Sequence, residues 1–335
     1  MKRAHTLNVA QITPQGTEAV LIEFHLQSED LQKFQFKPGQ YLTLGVEVDG
    51  AAHWRCYSIT SRPVDLPNVS VLVKRVVNGR VSNWICDNVK AGSAIEVLPP
   101  AGQFMLREPG KPVVMFAGGS GIAPIYSLAR QALELSDSNV VLFYANRDRA
   151  STMLKDELEA LPNSTRGRLD VRYWYDAESG YPTHELLAEY VSSSADNDVY
   201  LCGPEGFMRA VEGGLDHAGC SLAKLYKEEF GAALDDNEDT QDDGVERTLA
   251  VSIKGERHTL PIKASETLLS AMLNAGLNVP HACKVGECAS CICRVEQGNV
   301  KQMENSVLDE DDVAEGLALA CQSRVLSDLV HIRFS

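Results

Sequence analysis

The chain has 335 residues, 44% of them hydrophobic and 23% charged, with a mean hydropathy of −0.15 and a formal net charge of −15. That length accommodates two or three domains, each burying its own core. The charge argues against a nucleic-acid binder, which needs Lys and Arg to neutralise phosphate; no apolar run approaches the ~20 residues that span a bilayer, and the polar start MKRAHTLNVAQ is not that of a signal peptide.

Residues 1–108 read as all-β. Alternating or β-branched runs recur at 19–24, 41–48, 69–76 and 94–98, punctuated by Pro-Gly, Asp-Gly, Asn-Gly and Pro-Pro turns. Short strands at this spacing predict a small antiparallel barrel. At Pro112 the pattern changes. The apolar runs 112–117, 139–145, 169–175 and 198–202 alternate with helical patterns after 121, at 151–161, near 183–191 and at 205–218. Strands alternating with helices specify βαβ units and a parallel sheet covered on both faces. Residues 235–246 (DDNEDTQDDGVE) then hold seven acids and no base, whereas residues 247–335 carry nine bases against eleven acids. A run that repels itself and offers nothing to bury reads as an exposed linker without chemistry. Two strands at 248–253 and 258–262, a helix at 265–275 and a cysteine-rich loop follow, the order of a compact α+β domain.

Four regions carry chemistry, the first of them in two parts. In Arg55-Cys56-Tyr57-Ser58 the Arg can grip a phosphate, the Tyr can stack on a planar ring, and the Ser hydroxyl can bond a ring nitrogen. The turn from Gly79 to Ser82 offers backbone N–H groups and a hydroxyl for further phosphate. Alone, both also suit ordinary strand residues. Gly118-Gly119-Ser120-Gly121-Ile122-Ala123-Pro124 follows a buried strand and opens a helix, where unpaired N–H groups favour a pyrophosphate. It is neither GxGxxG nor a P-loop, and a plain strand-to-helix turn reads the same way. Cys202-Gly203-Pro204 ends another parallel strand, at the sheet edge where ligands bind.

The fourth stretch, 280–293, reads PHACKVGECASCIC. Cys283, Cys288 and Cys291 are spaced C-x4-C-x2-C, and Cys321 supplies a distant fourth thiolate. This is the plant-type ferredoxin spacing for a 2Fe–2S cluster, although four cysteines also suit tetrahedral zinc. Gly286, Ala289 and Ser290 are small enough for backbone N–H groups to approach the cluster sulfurs. Cys293 is expected in a core, and Cys56, Cys86 and Cys220 fall outside any metal spacing. His281 is not read as a ligand, since no cysteine is missing from the set. Nine cysteines, an odd number, fit a reducing cytoplasm better than a disulfide framework.

Taken in this order, the motifs resemble the ferredoxin–NADP reductase superfamily, in particular its oxygenase-reductase branch with a C-terminal plant-type ferredoxin domain, such as the reductases of phenylacetyl-CoA epoxidase and 3-ketosteroid 9α-hydroxylase. The resemblance spans the chain outside the acidic run. It implies a flavin-binding β-barrel domain (1–108), an NAD(P)-binding α/β domain (109–232), a linker (233–246) and a β-grasp 2Fe–2S domain (247–335). By resemblance, Arg55, Tyr57 and Ser58 contact flavin phosphate, ring and N5, and Gly79 and Ser82 form the flavin phosphate loop, with Lys74 ahead of it also binding cofactor. Gly118, Gly119, Gly121 and Pro124 take the dinucleotide phosphates, and Cys202, Gly203 and Pro204 lie beside the nicotinamide. Glu228 and Phe230 of KEEFG resemble the catalytic end of the reductase module, beside Ser58 and Cys202.

The implied activity is electron transfer from NAD(P)H through FAD and the cluster, singly, to a terminal oxygenase or other protein acceptor, with no nucleic acid or membrane involved. A flavin bridges a two-electron donor and a one-electron cluster, so no general base or nucleophile is required. Rival readings are the electron-transfer subunit of another dehydrogenase, such as dihydroorotate dehydrogenase, and a zinc-bearing dinucleotide sensor. In the former family the last cysteine follows after a short interval, whereas here it stands at 321. Arg147 or Arg149 could pair with a 2′-phosphate and Asp148 could accept from a free 2′-OH, so NADH and NADPH both stay open.

Overall fold

The structure, a computed structural model, describes residues 4–48, 50–108, 110–135, 137, 139–164, 167–192, 197–230, 245–253, 255–281, 283–284, 286, 288–303, 305 and 307–334. The linker expected at 233–246 lies outside them except for its last two residues. Among the described residues no helix is long and apolar enough to cross a membrane.

Strands β1 (His5–Gln15), β2 (Ala19–His25), β3 (Tyr41–Val48), β4 (Ala51–Ser58), β5 (Asn68–Lys74) and β6 (Ala94–Ala101) form one antiparallel sheet in the order β4-β3-β6-β1-β2-β5. A bridge between Ile59, just past β4, and Val71 in the middle of β5 joins the two edge strands and closes the barrel. Ile22, Phe24, Leu42, Leu44 and Val71, all 0% exposed, fill it. The block is not all-β. Helix α1 (Arg80–Asn88) follows β5 and sends Val81 and Ile85, four apart and therefore on one face, into the barrel core. The Asn-Gly pair ahead of it suggests a turn in sequence, but Gly79 is the helix N-cap.

The second unit contains β7 (Val113–Gly118), α2 (Ile122–Leu135), β8 (Val140–Asn146), α3 (Lys155–Ser164), β9 (Leu169–Tyr175), α4 (Asp176–Ser179), α5 (His184–Ser192), β10 (Asp198–Cys202), α6 (Glu205–His217) and β11 (Leu225–Glu228). Its five strands are parallel in the order β11-β10-β7-β8-β9. Every residue of β7 and β10 is buried, as a sheet covered on both faces requires, and a separate apolar core lies on each face. Helix α3 begins later than the expected 151, because the preceding residues fold back on Asp148. Its carboxylate accepts from Ser151 N at 2.8 Å, and Leu154 is left-handed at φ 52°.

In the third unit β12 (Glu246–Ile253), β13 (Glu256–Lys263), β14 (Ile292–Gln297), β16 (Leu317–Leu319) and β18 (Leu329–Arg333) form a mixed sheet in the order β13-β12-β18-β14-β16. Its first and last strands are parallel neighbours at the centre. Helix α7 (Leu268–Asn274), capped by the Thr267 hydroxyl, buries Leu268, Leu269 and Met272 against this sheet's core. Strands β15 (Val300–Gln302) and β17 (Ser323–Val325) pair separately, and α8 (Glu310–Ala314) precedes β16.

Trp54 joins the first unit to the third. It stands opposite Gly45 in the β3–β4 ladder, and a Cβ at Gly45 would lie 2.6 Å from its ring, so the missing side chain makes room for the indole. Trp54 and Leu98 belong to the same buried cluster as the core of the third unit.

Candidate functional site

Residues from all three units wall one cavity of about 860 Å³. Arg55, Tyr57 and Ser58 of β4 and Lys74 at the end of β5 line it, as do Gly79 and Ser82 at the start of α1. The Ser58 hydroxyl is buried and has no hydrogen-bond partner among the described residues, so it is available to a bound group. Burial pushes the Tyr57 phenol well above its ordinary range, which keeps a neutral aromatic on the wall. Arg55 is anchored by donating Nη1–H to the Trp54 carbonyl at 2.7 Å. The Ser82 hydroxyl accepts from Val76 N at 3.2 Å and ties down the chain entering α1, whose first N–H groups and Arg80 suit an anion. Arg107 lines the same space. Arg55, Lys74, Arg80 and Arg107 thus gather positive charge in a chain of net charge −15, which fits a pyrophosphate-bearing flavin.

The dinucleotide loop follows β7. Gly119 is left-handed at φ 52°, and its missing Cβ would meet Lys74 Nζ at 3.3 Å, so the two phosphate elements adjoin. A Cβ at Gly121 would stand 2.1 Å from the Cys202 carbonyl oxygen, and one at Gly203 would stand 3.0 Å from Gly118 Cα. The glycines at 118–121 and at 203 therefore let two loops pack backbone on backbone. Pro124 is buried in the first turn of α2, where its missing N–H costs nothing. Of this loop, Ser120 and Ala123 reach the cavity wall. Cys202 is fully buried in the core, with its thiol pushed up by burial and by Glu228. Glu228, opposite Cys202 in the β10–β11 register, lines the cavity instead. Its Oε2 is buried without a partner among the described residues, and burial raises its pKa to about 8, so it is a neutral acid at pH 7. Phe230 is 54% exposed on the same wall.

Arg147 and Arg149 lie beyond β8. Arg147 pairs with Glu18 at 3.0 Å and Asp148 at 2.9 Å. Arg149 meets Glu178 with two bonds of 2.6 and 2.9 Å and covers the Tyr175 ring at 4.5 Å. Arg149 also borders a second cleft of about 430 Å³ with Lys155, Tyr173 and Tyr190.

The cysteine loop closes the far side of the main cavity, where His281 and Cys283 line the wall. Cys283 N donates to Cys288 Sγ at 3.3 Å and Cys321 N to Cys291 Sγ at 3.5 Å. Lys284, Gly286 and Ala289 are left-handed at φ 60°, 79° and 59°, so the loop turns tightly where the N–H groups of Cys283 and Cys321 meet thiol sulfurs. Four thiols converging under inward N–H groups fit an anionic iron–sulfur cluster. No three His, Cys, Asp or Glu among the described residues are set to hold a single metal ion. Cys293 lies outside the cradle, buried in β14 with Sγ donating to the Ala318 carbonyl at 3.5 Å. The motifs do not single out Trp54, Arg107 or Lys284, which is 5% exposed and whose carbonyl accepts from Gln322 Nε2 at 3.0 Å. His281, set aside in sequence for want of a ligand role, reaches the wall with Nδ1 bonded to the Val279 carbonyl at 2.8 Å.

Comparison with known proteins agrees with this geometry. Residues 7–106 match an oxidoreductase FAD-binding domain, 115–213 an oxidoreductase NAD-binding domain, and 251–326 a 2Fe-2S iron-sulfur cluster binding domain. The last match sets the zinc reading aside. The chain is 36% identical to the ferredoxin reductase component of 3-ketosteroid-9-alpha-monooxygenase from Rhodococcus rhodochrous, over 99% of this chain and 97% of that one. It is 30% identical to a subunit of 1,2-phenylacetyl-CoA epoxidase from Escherichia coli K12, over 100% and 98%. Among solved structures, phthalate dioxygenase reductase superposes with a TM-score of 0.62 at 26% identity, over 99% of this chain and 98% of that one.

Proposed function

The chain belongs to the FAD- and 2Fe–2S-carrying reductase components of oxygenase systems, within the ferredoxin–NADP reductase superfamily, and from that premise we propose that it takes hydride from NAD(P)H and hands electrons singly to a terminal oxygenase. The observation that carries this reading is the single cavity walled by the flavin motif, by Glu228 and Phe230, and by Cys283 of the cluster loop. Bound FAD accepts two electrons together and yields them one at a time, which a one-electron cluster requires.

The chain's residues divide the remaining work. Arg55, Lys74, Gly79 and Ser82 hold flavin phosphate, Tyr57 backs the ring, and Ser58 donates a hydrogen bond at N5. Gly118, Gly119, Gly121 and Pro124 shape the dinucleotide phosphate site against Cys202, Gly203 and Pro204. Glu228 holds a proton beside the reacting rings, and Phe230 covers the mouth. Cys283, Cys288, Cys291 and Cys321 hold the cluster. We assign the units to 1–108, 109–232 and 247–335, joined through 233–246. With nine cysteines and none of them paired, we place the protein in the reducing cytoplasm.

The test is reoxidation. Anaerobically reduced protein is mixed with candidate monooxygenase components, and cluster reoxidation is followed in the visible spectrum. A component that accelerates reoxidation in a saturable manner and then turns over its substrate supports the proposal. Electron delivery to small-molecule acceptors with no response to any oxygenase component would sink it.

A further inference from the structure

Residues 15–18, where β1 turns into β2, belong to the flavin unit, yet they grip the nucleotide unit. Gln15, 7% exposed, uses both ends of its amide there. Nε2–H donates to Glu157 Oε1 at 2.8 Å, in the first turn of α3, and Oε1 accepts from Leu154 N at 2.7 Å. Thr17 N donates to the Ala150 carbonyl at 3.0 Å. Gly16, left-handed at φ 56°, brings the chains so close that a Cβ would stand 2.7 Å from that same oxygen. Glu18 pairs with Arg147 at 3.0 Å. The gripped segment, 147–154, leaves the C-terminal end of β8. It ends on Leu154 at φ 52°, a left-handed conformation that a bulky residue keeps only where its surroundings impose it. On its other side the turn is tied to the flavin phosphate end. Arg75 N donates to the Glu18 carbonyl at 2.7 Å, and Ala19 pairs with Lys74 in the β2–β5 ladder.

We infer that Gln15 is a positioning residue for the dinucleotide: from the flavin unit it holds segment 147–154 in the conformation that takes the adenosine end of NAD(P)H. The inference rests on the function proposed above and deepens it, by assigning that end to the loop of Arg147, Asp148 and Arg149, at the sheet edge where ligands of a parallel sheet bind. Gln15 lines neither the main cavity nor the second cleft, so it acts through the backbone it holds. A buried amide satisfied at both ends permits one register of the loop; without it the Leu154 N–H loses its acceptor and the left-handed turn its support. The adenosine end is remote from the reacting ring and is bound alike in the ground and transition states. Disordering its site therefore weakens binding and leaves the hydride step unchanged.

The experiment is stopped-flow flavin reduction in the full-length holoprotein, with NADH and with reduced nicotinamide mononucleotide, which has the reacting ring but no adenosine. The dependence of the rate on donor concentration gives the dissociation constant and the limiting rate. Gln15→Met keeps the volume and removes both hydrogen bonds. It should weaken NADH binding about fivefold at an unchanged limiting rate and leave the mononucleotide unaffected. Gln15→Glu sets two carboxylates face to face and should also weaken NADH; adding Glu157→Gln restores a donor to the pair and should bring wild-type affinity back. An unchanged NADH affinity in Gln15→Met overturns the inference, as does an equal loss with both donors, which would mean a general loosening of the units. If Gln15→Met fails to retain FAD, the charge swap decides, and equal NADH affinities in Gln15→Glu and the double variant overturn the inference. A wild-type holoprotein whose flavin neither NADH nor NADPH reduces would refute the proposed function itself, a distinguishable failure.

Discussion

Two buried polar atoms in the cavity set the residue-scale chemistry. The Ser58 hydroxyl, unpartnered among the described residues, is the group that on the proposed reading bonds the flavin ring. Ser58→Ala should leave flavin content intact and slow flavin reduction by NADH about tenfold, the ~1.4 kcal/mol of one lost hydrogen bond; stopped-flow absorbance measures this. Glu228 gives a pH signature. Burial raises its pKa from 4.5 to about 8, so the native state favours its protonated form. The associated stability is complete below about pH 4.5 and is lost as the pH rises through about 8. Glu228→Gln should therefore match the wild type in acid and become more stable than it above pH 8, by a few kcal/mol in order of magnitude. Melting temperatures at the two pH values check the sign. The dinucleotide choice left open by the sequence can also be argued. Arg147 and Arg149 are both engaged by carboxylates, so a 2′-phosphate must displace an existing pair. Exposed pairs contribute ~0–1 kcal/mol. We accordingly expect NADH to be preferred by less than about tenfold in kcat/KM, with Glu178→Gln narrowing the gap by freeing Arg149; a strong NADPH preference would contradict this.

Elements differed in how openly the sequence declared them. Strands β7 and β10 are buried along their whole length, so they stand out as continuous apolar runs. Strand β1 carries polar residues on its outward face and bends at an irregularity between Val9 and Gln11, which breaks the alternation a reader looks for. Helix α1 hides behind the Asn-Gly pair that caps it, and strands β15 to β17 are three residues each, too short for any period. At the site, motifs singled out Arg55, Tyr57, Ser58, Lys74, Gly79 and Ser82, and all six line one cavity. Cys56 and His281 line it too, but contact across units leaves no local pattern; Ser290 and Trp54 are 236 residues apart. That contact predicts the effect of a substitution far from any motif. Gly45→Ala would drive a methyl group against the Trp54 ring, an overpacking cost of ~1–3 kcal/mol. Displacing the indole loosens the cluster loop from β4. Reduction of the flavin by NADH should persist while passage to the cluster slows, and stopped-flow traces at the two absorbance bands separate these steps. Equal rates in variant and wild type would show that Trp54 does not set the docking.

At the scale of the whole molecule, three units, the first packing Trp54 and Leu98 into the core of the third and Ala19 and Leu72 against that of the second, meet at one cavity. Such modularity predicts that Cys288→Ser or Cys321→Ser removes the cluster without disturbing the flavin site. Iron content and the visible cluster absorbance should collapse, reduction of the flavin by NADH should stay within about twofold of wild type, and delivery to a protein acceptor should cease. Loss of both activities with the fold intact would mean that the units are not independent. The central claim is that electrons from NADH reach the cluster through the flavin inside this one chain. Anaerobic mixing of the holoprotein with NADH, frozen at successive times for electron paramagnetic resonance and followed in parallel by absorbance, tests it directly. The flavin band should bleach first, and a reduced 2Fe–2S signal should then grow as electrons leave the flavin. A flavin that becomes fully reduced while the cluster stays oxidised would contradict the account.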